Sequence, residues 1–184
     1  TNKFVLNHDP TELIARKYVY TGSLDQAKTA ALEAKDKIFK TTYSPFTTGR
    51  SGNNRVKSKT MTLLEVIDTL QSLEGKAKSN PSDALTQFQL GTAYYNMTWF
   101  GNSPMLTKTE RSTVSWKKGE TDFTKARAHY ELALQHATNR ELKVKTLYAL
   151  AKIEKNEFYM QQEKKGVNLD DYWPRSDKNY AKSV

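Results

Sequence analysis

The stretch IARKYVYTGSLDQAKTAALEA, residues 14–34, decides the fold. Its apolar and small residues, Ile14, Ala15, Tyr18, then Leu24, Ala27, Ala31 and Ala34, recur three and four apart on either side of Gly22. That spacing predicts two helices, each with one buried stripe, joined by a tight glycine turn. The alanine stripe lets the partner helix approach closely. The first half of the pattern returns as Leu90-Gly91-x-x-Tyr94, the second as Phe123, Ala126, Tyr130 and Ala133, and a fragment as Leu147, Leu150 and Ala151. Recurrence of this kind marks a helix pair that packs by stacking on copies of itself. Such scaffolds typically hold other molecules rather than transform them.

Working outward, Asp9-Pro10-x-Glu12 supplies a helix start: a side-chain cap, proline at the first helical position and an acid to complete a capping box. The first helix ends near Gly22, and Ser23 opens a second that continues to Ile38. Residues 42–59, with Pro45, Gly49, Gly52, Asn53 and Asn54, read as a loop. A third helix follows over 60–79 on Leu63, Val66, Ile67, Leu70 and Leu73, stopped by Asn80-Pro81. Ser82 or Asp83 caps a strongly apolar fourth helix, which yields near Gly101 to a polar stretch ending at Asp122. Two more helices are expected over 123–138 and 142–161, then an irregular tail over 162–184. Six helices without an alternating strand pattern make the chain all-α, and 184 residues suit a single domain.

The pattern resembles the tetratricopeptide repeat (TPR), a 34-residue antiparallel helix pair with Leu-Gly/Ala, a following Tyr, a turn Gly and a second helix of aromatic and Ala positions. Residues 8–41 match without gaps but lack the closing proline and carry Ala31 where an aromatic is commoner. The second unit, 84–138, is split: Tyr94 and Ala126 stand 32 positions apart, against 9 for Tyr18 and Ala27. The insertion falls at 98–121. The third unit departs at Glu154, where Tyr is expected. The phrases Tyr94–Ser103 and Leu150–Tyr159 are similar to segments of TPR-bearing proteins of Bacteroidetes, many of them exported or envelope-associated and without an assigned activity. The resemblance implies a short right-handed solenoid of helix pairs, and an extracytoplasmic or cell-envelope location in a bacterium.

It also implies a concave groove lined by the first helix of each pair. Carried over by position, the groove takes Glu12, Arg16 and Val19 from the first unit, Phe88, Thr92, Tyr95 and Asn96 from the second, and Tyr148, Lys152, Lys155 and Asn156 from the third. Aromatic residues flanked by lysines and amides suit a partner peptide or helix with acidic groups. Glu12 sits where a clamp for a C-terminal carboxylate would want a cation. The insertion adds Trp99, Phe100 and Trp116 among Lys108, Arg111, Lys117 and Lys118; these aromatics either cap helix ends or touch a partner.

A formal charge of +9 admits a polyanion, and Arg50, Arg55, Lys57 and Lys59 form a basic run, yet no nucleic-acid module accompanies them. Much of the charge is mixed with Glu and Asp on helices, which describes a solvated face. Zero cysteines exclude disulfides, thiolate metal sites and cysteine catalysis. His129 and His136, seven apart, read as surface residues rather than metal ligands. Gly49-Arg50-Ser51-Gly52 lacks the Gly-Lys-Ser/Thr ending of a phosphate loop, and Asp170-Asp171 reads as solvated. No enzyme, cofactor or metal site is expected. No run approaches a membrane-spanning length. An opening on Thr1 rather than Met leads to the expectation that something upstream was removed. The sequence therefore predicts a non-enzymatic protein-interaction scaffold, with a structural spacer of a larger envelope protein or a polyanion binder as alternatives.

Overall fold

The computed structural model describes residues 10–34, 40–41, 43–47, 60–107 and 121–165. Six α-helices account for most of them: α1 (Pro10–Thr21), α2 (Leu24–Glu33), α3 (Leu63–Ser79), α4 (Ala84–Asn96), α5 (Thr124–His136) and α6 (Arg140–Lys164). Pro104–Leu106 forms a short 3-10 turn, and among the described residues the extended pairing is a single antiparallel bridge between Lys40 and Thr62. The chain is all-helical, as its periodicity implies.

Local signals explain where the helices begin and end. Pro10 opens α1, and Gly22 closes it with φ +82°, a left-handed conformation that favours glycine. Thr62 and Glu65 cap α3 reciprocally: each side chain takes the other's backbone N–H. Asp83 accepts from Leu85 N and Thr86 N at the start of α4, and Asn139 from Glu141 N and Leu142 N at the start of α6. Ser23 precedes α2 without a side-chain cap bond. Glu12 has another use than capping: its carboxylate accepts from Arg16 at 3.1 Å, and both side chains are buried. The Asp9 half of that expected cap, and the extension of α2 to Ile38, lie outside the described residues.

Each helix packs on the next in chain order, α4 also touches α6, and the Pro104–Leu106 turn leans on α1. Two cores result, and they share α4. Leu90, Ala93 and Met97 face one way, into a cluster with Ala15, Val19, Leu24, Ala27, Leu63, Val66, Ile67, Leu70 and Leu106. Phe88 and Tyr95 face the other way, onto Phe123, Ala126, Tyr130, Ala133 and Ile153. A helix buried on both sides needs a small residue where a neighbour crosses closely, and Gly91 is that residue. A Cβ there would lie 2.7–2.9 Å from the Tyr130 ring.

Two expectations about side-chain placement are corrected. Leu147 and Ala151 of α6 were expected to face the core, yet both are exposed, and Thr146 and Ile153 are the buried pair. Polar ties on both flanks fix that rotation: Arg127 of α5 pairs with Glu157 at 2.5 Å, and Asn156 donates to the Tyr95 hydroxyl at 2.9 Å. Ile14, the partner of Ala15 in the opening motif, is half exposed, while Ala15 is fully buried.

The start of the expected loop 42–59 and the start of the insertion 98–121 are both packed. Thr41 N donates to Met61 O at 2.8 Å and Met61 N to the Thr41 hydroxyl at 3.1 Å, which closes the loop at its base. Its Pro45 and Thr47 carbonyls accept from the Asn96 side-chain amide at 2.8 and 2.9 Å. The insertion folds back over the end of α4, with Ser103 N donating to Asn96 O at 2.9 Å and the Thr107 hydroxyl to Met97 O at 2.7 Å. That fold-back sends Leu106 into the first core. Residues 166–184 of the expected tail lie outside the described residues.

Candidate functional site

The residues expected to line one groove separate into two groups. Arg16 is interior, paired with Glu12, and Val19 is buried beside it on α1. Phe88 packs on Tyr130 with ring centroids 5.6 Å apart. Thr92 donates its hydroxyl to Phe88 O at 2.9 Å and accepts from the Tyr130 hydroxyl at 3.2 Å. Asn96 is buried and holds the 45–47 turn. These side chains are building material. Phe88 and Thr92 lie under Tyr130 of α5, and Asn96 under the 45–47 turn and the start of the insertion at Ser103.

The second group meets at the seam between α4 and α6. Tyr95 stacks on Phe123 with centroids 5.8 Å apart and planes 19° from parallel. Lys152 places its Nζ 4.4 Å from the centre of the Tyr95 ring. Asn156, one turn further along α6, donates to the Tyr95 hydroxyl. Tyr148, one turn before Lys152, stands 70 % exposed at the rim. Spacing of four along α6 puts 148, 152 and 156 in one row. Lys155 belongs to the adjoining row and lies 5.5 Å over Tyr159.

The seam is short of negative charge. Burial holds the Lys152 ammonium below the ordinary lysine value, and burial pushes the Tyr95 phenol up, against the opposing Asn156 hydrogen bond. Among the described residues no carboxylate pairs with Lys152 or Lys155; each sits over a tyrosine ring instead. Of the acids on this part of α6, Glu157 is engaged with Arg127, and Glu154 is exposed and makes no ion pair with either lysine. An ammonium that is half desolvated and faced only by π-electrons gains from an arriving carboxylate.

Of the insertion aromatics, Phe100 is half-buried against Phe123, centroids 5.7 Å apart, and Trp99 is half-buried beside it. Trp116, Lys108, Arg111, Lys117 and Lys118 lie outside the described residues, as do Arg50, Arg55, Lys57 and Lys59.

One polar cluster carries no signal in the sequence pattern. Tyr94 donates its hydroxyl to Glu74 across to α3, while His129 of α5 stacks on its ring at 5.5 Å, planes 8° apart. The Lys125 ammonium lies 5.1 Å from the same ring. His129 is therefore half-buried rather than a surface residue. Its Nδ1 lies 2.7 Å from Gln87 Oε1, so the proton must sit on Nδ1. A cavity of about 260 Å³ opens beside this cluster among Val19, Tyr94, Met97, Thr98, Thr107 and Lys125.

Burial holds the His129 imidazole below the ordinary value of 6.5; Glu74 pulls it up and Lys125 pushes it down. The unfolded chain therefore binds the proton more readily than the folded one. The stability that neutral His129 contributes is complete above the unfolded value and is lost as pH falls through the folded value. Urea unfolding from pH 7.5 to 5 is expected to show a steeper loss of stability in the native protein than in His129→Phe, which keeps the stack and cannot titrate. Parallel profiles for the two proteins would refute that linkage.

The fold and its seam together define an all-helical protein with an aromatic, cationic surface between two helices. No protein-family model, curated protein or solved structure matches the chain. No described helix is long and apolar enough to cross a membrane.

Proposed function

We propose that this chain is a non-enzymatic protein-interaction scaffold of TPR-like helix pairs, and that it receives the acidic side of a partner at the α4–α6 seam. One observation carries the reading: Tyr95, Lys152 and Asn156 converge from two helices into a rigid cluster with Tyr148 exposed at its edge. The cluster offers an aromatic platform and a cation lacking an acidic partner, the combination that selects a carboxylate-bearing protein segment. Helix pairs joined as α1 and α2 are, and the Gly91–Tyr130 crossing, are the features that favour the TPR-like arrangement.

Affinity capture from the native cell extract, comparing the intact protein with Lys152→Glu and Tyr148→Ala, tests the proposal. Lys152→Glu turns attraction into repulsion in a half-buried place, and Tyr148→Ala removes exposed contact area without touching a core. Both are expected to weaken capture of the same partner by about tenfold or more, roughly 1.4 kcal/mol. Undiminished capture by both variants, each folded by circular dichroism, would sink the seam as the binding site.

A further inference from the structure

The split in the second helix pair leaves a space that the intact pair does not have. Gly22 turns α1 directly into α2, whereas α4 runs on through the 98–107 fold-back and α5 starts afresh at Thr124. The cavity of about 260 Å³ lies at that break, between the end of α1, the end of α4 and the start of α5. Sites for drug-sized ligands take roughly 300–1,000 Å³, so this one suits an occupant the size of a free amino acid.

Its walls carry both signs of charge. The Lys125 ammonium reaches past the bare face of Gly22, where an added Cβ would lie 2.5 Å from Nζ, and stands 5.1 Å from the centre of the Tyr94 ring. Among the described residues it makes no ion pair. Asp122 accepts from Thr124 N at 2.8 Å. Its hydrogen bonds to Thr124, with the Lys125 charge nearby, hold its carboxyl below the usual range against the effect of burial, so it is ionised at neutral pH. The Thr98 hydroxyl donates to Tyr95 O and the Thr107 hydroxyl to Met97 O, both at 2.7 Å. Each hydroxyl proton is thereby spent, and each oxygen is left to accept. One carboxylate and two such oxygens match the three donors of an ammonium, and Lys125 matches a carboxylate. The rest of the wall is apolar, with Val19 and Met97 buried and the Tyr20 ring at the rim.

We propose that this cavity binds a free amino acid with an apolar side chain, its carboxylate on Lys125, its ammonium on Asp122, Thr98 and Thr107, and its side chain against Val19 and Met97. The site shares no residue with the α4–α6 seam and stands whether or not that seam binds a partner.

The probe is L-leucine, titrated into the native protein and followed by NMR chemical shifts. Beside it go leucinamide, which lacks the carboxylate, N-acetyl-leucine, which lacks the ammonium, and glycine, which lacks the side chain. Leucine is expected to bind saturably, and each of the others at least tenfold more weakly. Lys125→Gln is expected to remove the preference for leucine over leucinamide. Asp122→Asn, which keeps an oxygen for Thr124 N, is expected to remove the preference over N-acetyl-leucine. No saturable binding of leucine overturns the proposal. So does equal binding of leucine and its two blocked forms, because the cavity then takes an apolar body without reading its charges. Unchanged selectivity in both variants, each folded by circular dichroism, overturns the roles of Lys125 and Asp122. The ligand series on the native protein decides the site even where a variant fails to fold.

Discussion

Gly101→Ala is expected to remove about 3 kcal/mol or more of stability, because the new methyl group has only backbone to push against. A Cβ at this position would lie 2.2–2.4 Å from the O, Cα and C atoms of Asn96. Those atoms end α4 and are held twice over. The Asn96 side chain is bonded to the 45–47 turn, and its carbonyl accepts from Ser103 N. Relief requires the 98–107 segment to lift. That would draw Leu106 from the first core and break the bonds from Ser103 to Tyr43 O at 2.8 Å and from Asn102 to Ser44 O at 3.3 Å. Gly75 is the control: a Cβ there meets nothing within 4 Å, and in an exposed helix interior the same change is expected to add up to about 1 kcal/mol. Urea unfolding should show a lowered midpoint for Gly101→Ala and a raised one for Gly75→Ala. A Gly101→Ala protein as stable as its parent would show the fold-back to be loosely held.

The helices were legible because each carries its own local signal. Pro10, Gly22, Asp83 and the apolar rows of α1 to α5 depend on neighbours a turn away, and such rows survive whatever the helix later packs against. What lies over a row is not written in it. Arg16, Thr92 and Asn96 hold groove positions, yet all three are buried: Tyr130 of α5 lies on Thr92, the 45–47 turn and Ser103 lie on Asn96, and Arg16 turns to Glu12. Nothing in the spacing of α4 distinguishes a helix buried on one side from one buried on both. The rotation of α6 was missed for a related reason. Leu147 and Ala151 fit the repeat, yet Arg127–Glu157 and Asn156–Tyr95 turn the helix so that Ile153 goes inward. A cross-helix ion pair leaves no periodic trace. The cluster of Lys152, Asn156 and Tyr95 was legible as residue types, and its assembly came from that same rotation.

Ile153→Ala is expected to cost about 2–5 kcal/mol and to fall on one part of the molecule. Helix α6 has two fully buried side chains, Thr146 and Ile153, and Ile153 is the larger apolar one. It closes the second core, where Phe88, Tyr95, Phe123 and Tyr130 surround it, whereas the first core has no contact from α6 in its cluster. The other ties of α6, the partly buried Leu142, Ala149, Leu150 and Met160 and the polar contacts from Asn156 to Tyr95 and Glu157 to Arg127, are each weaker than an isoleucine in a closed core. Local opening follows the least stable unit, so the amides of α6 should exchange with solvent first, while those of α3, anchored by Leu63, Val66, Ile67 and Leu70, keep their protection. Hydrogen exchange read segment by segment distinguishes this from a uniform loss. If all helices lose protection together, α4 transmits the defect and the two cores unfold as one. If α6 alone opens, binding at Lys152 and Tyr148 falls with it, because the seam exists only while α6 is docked on Tyr95.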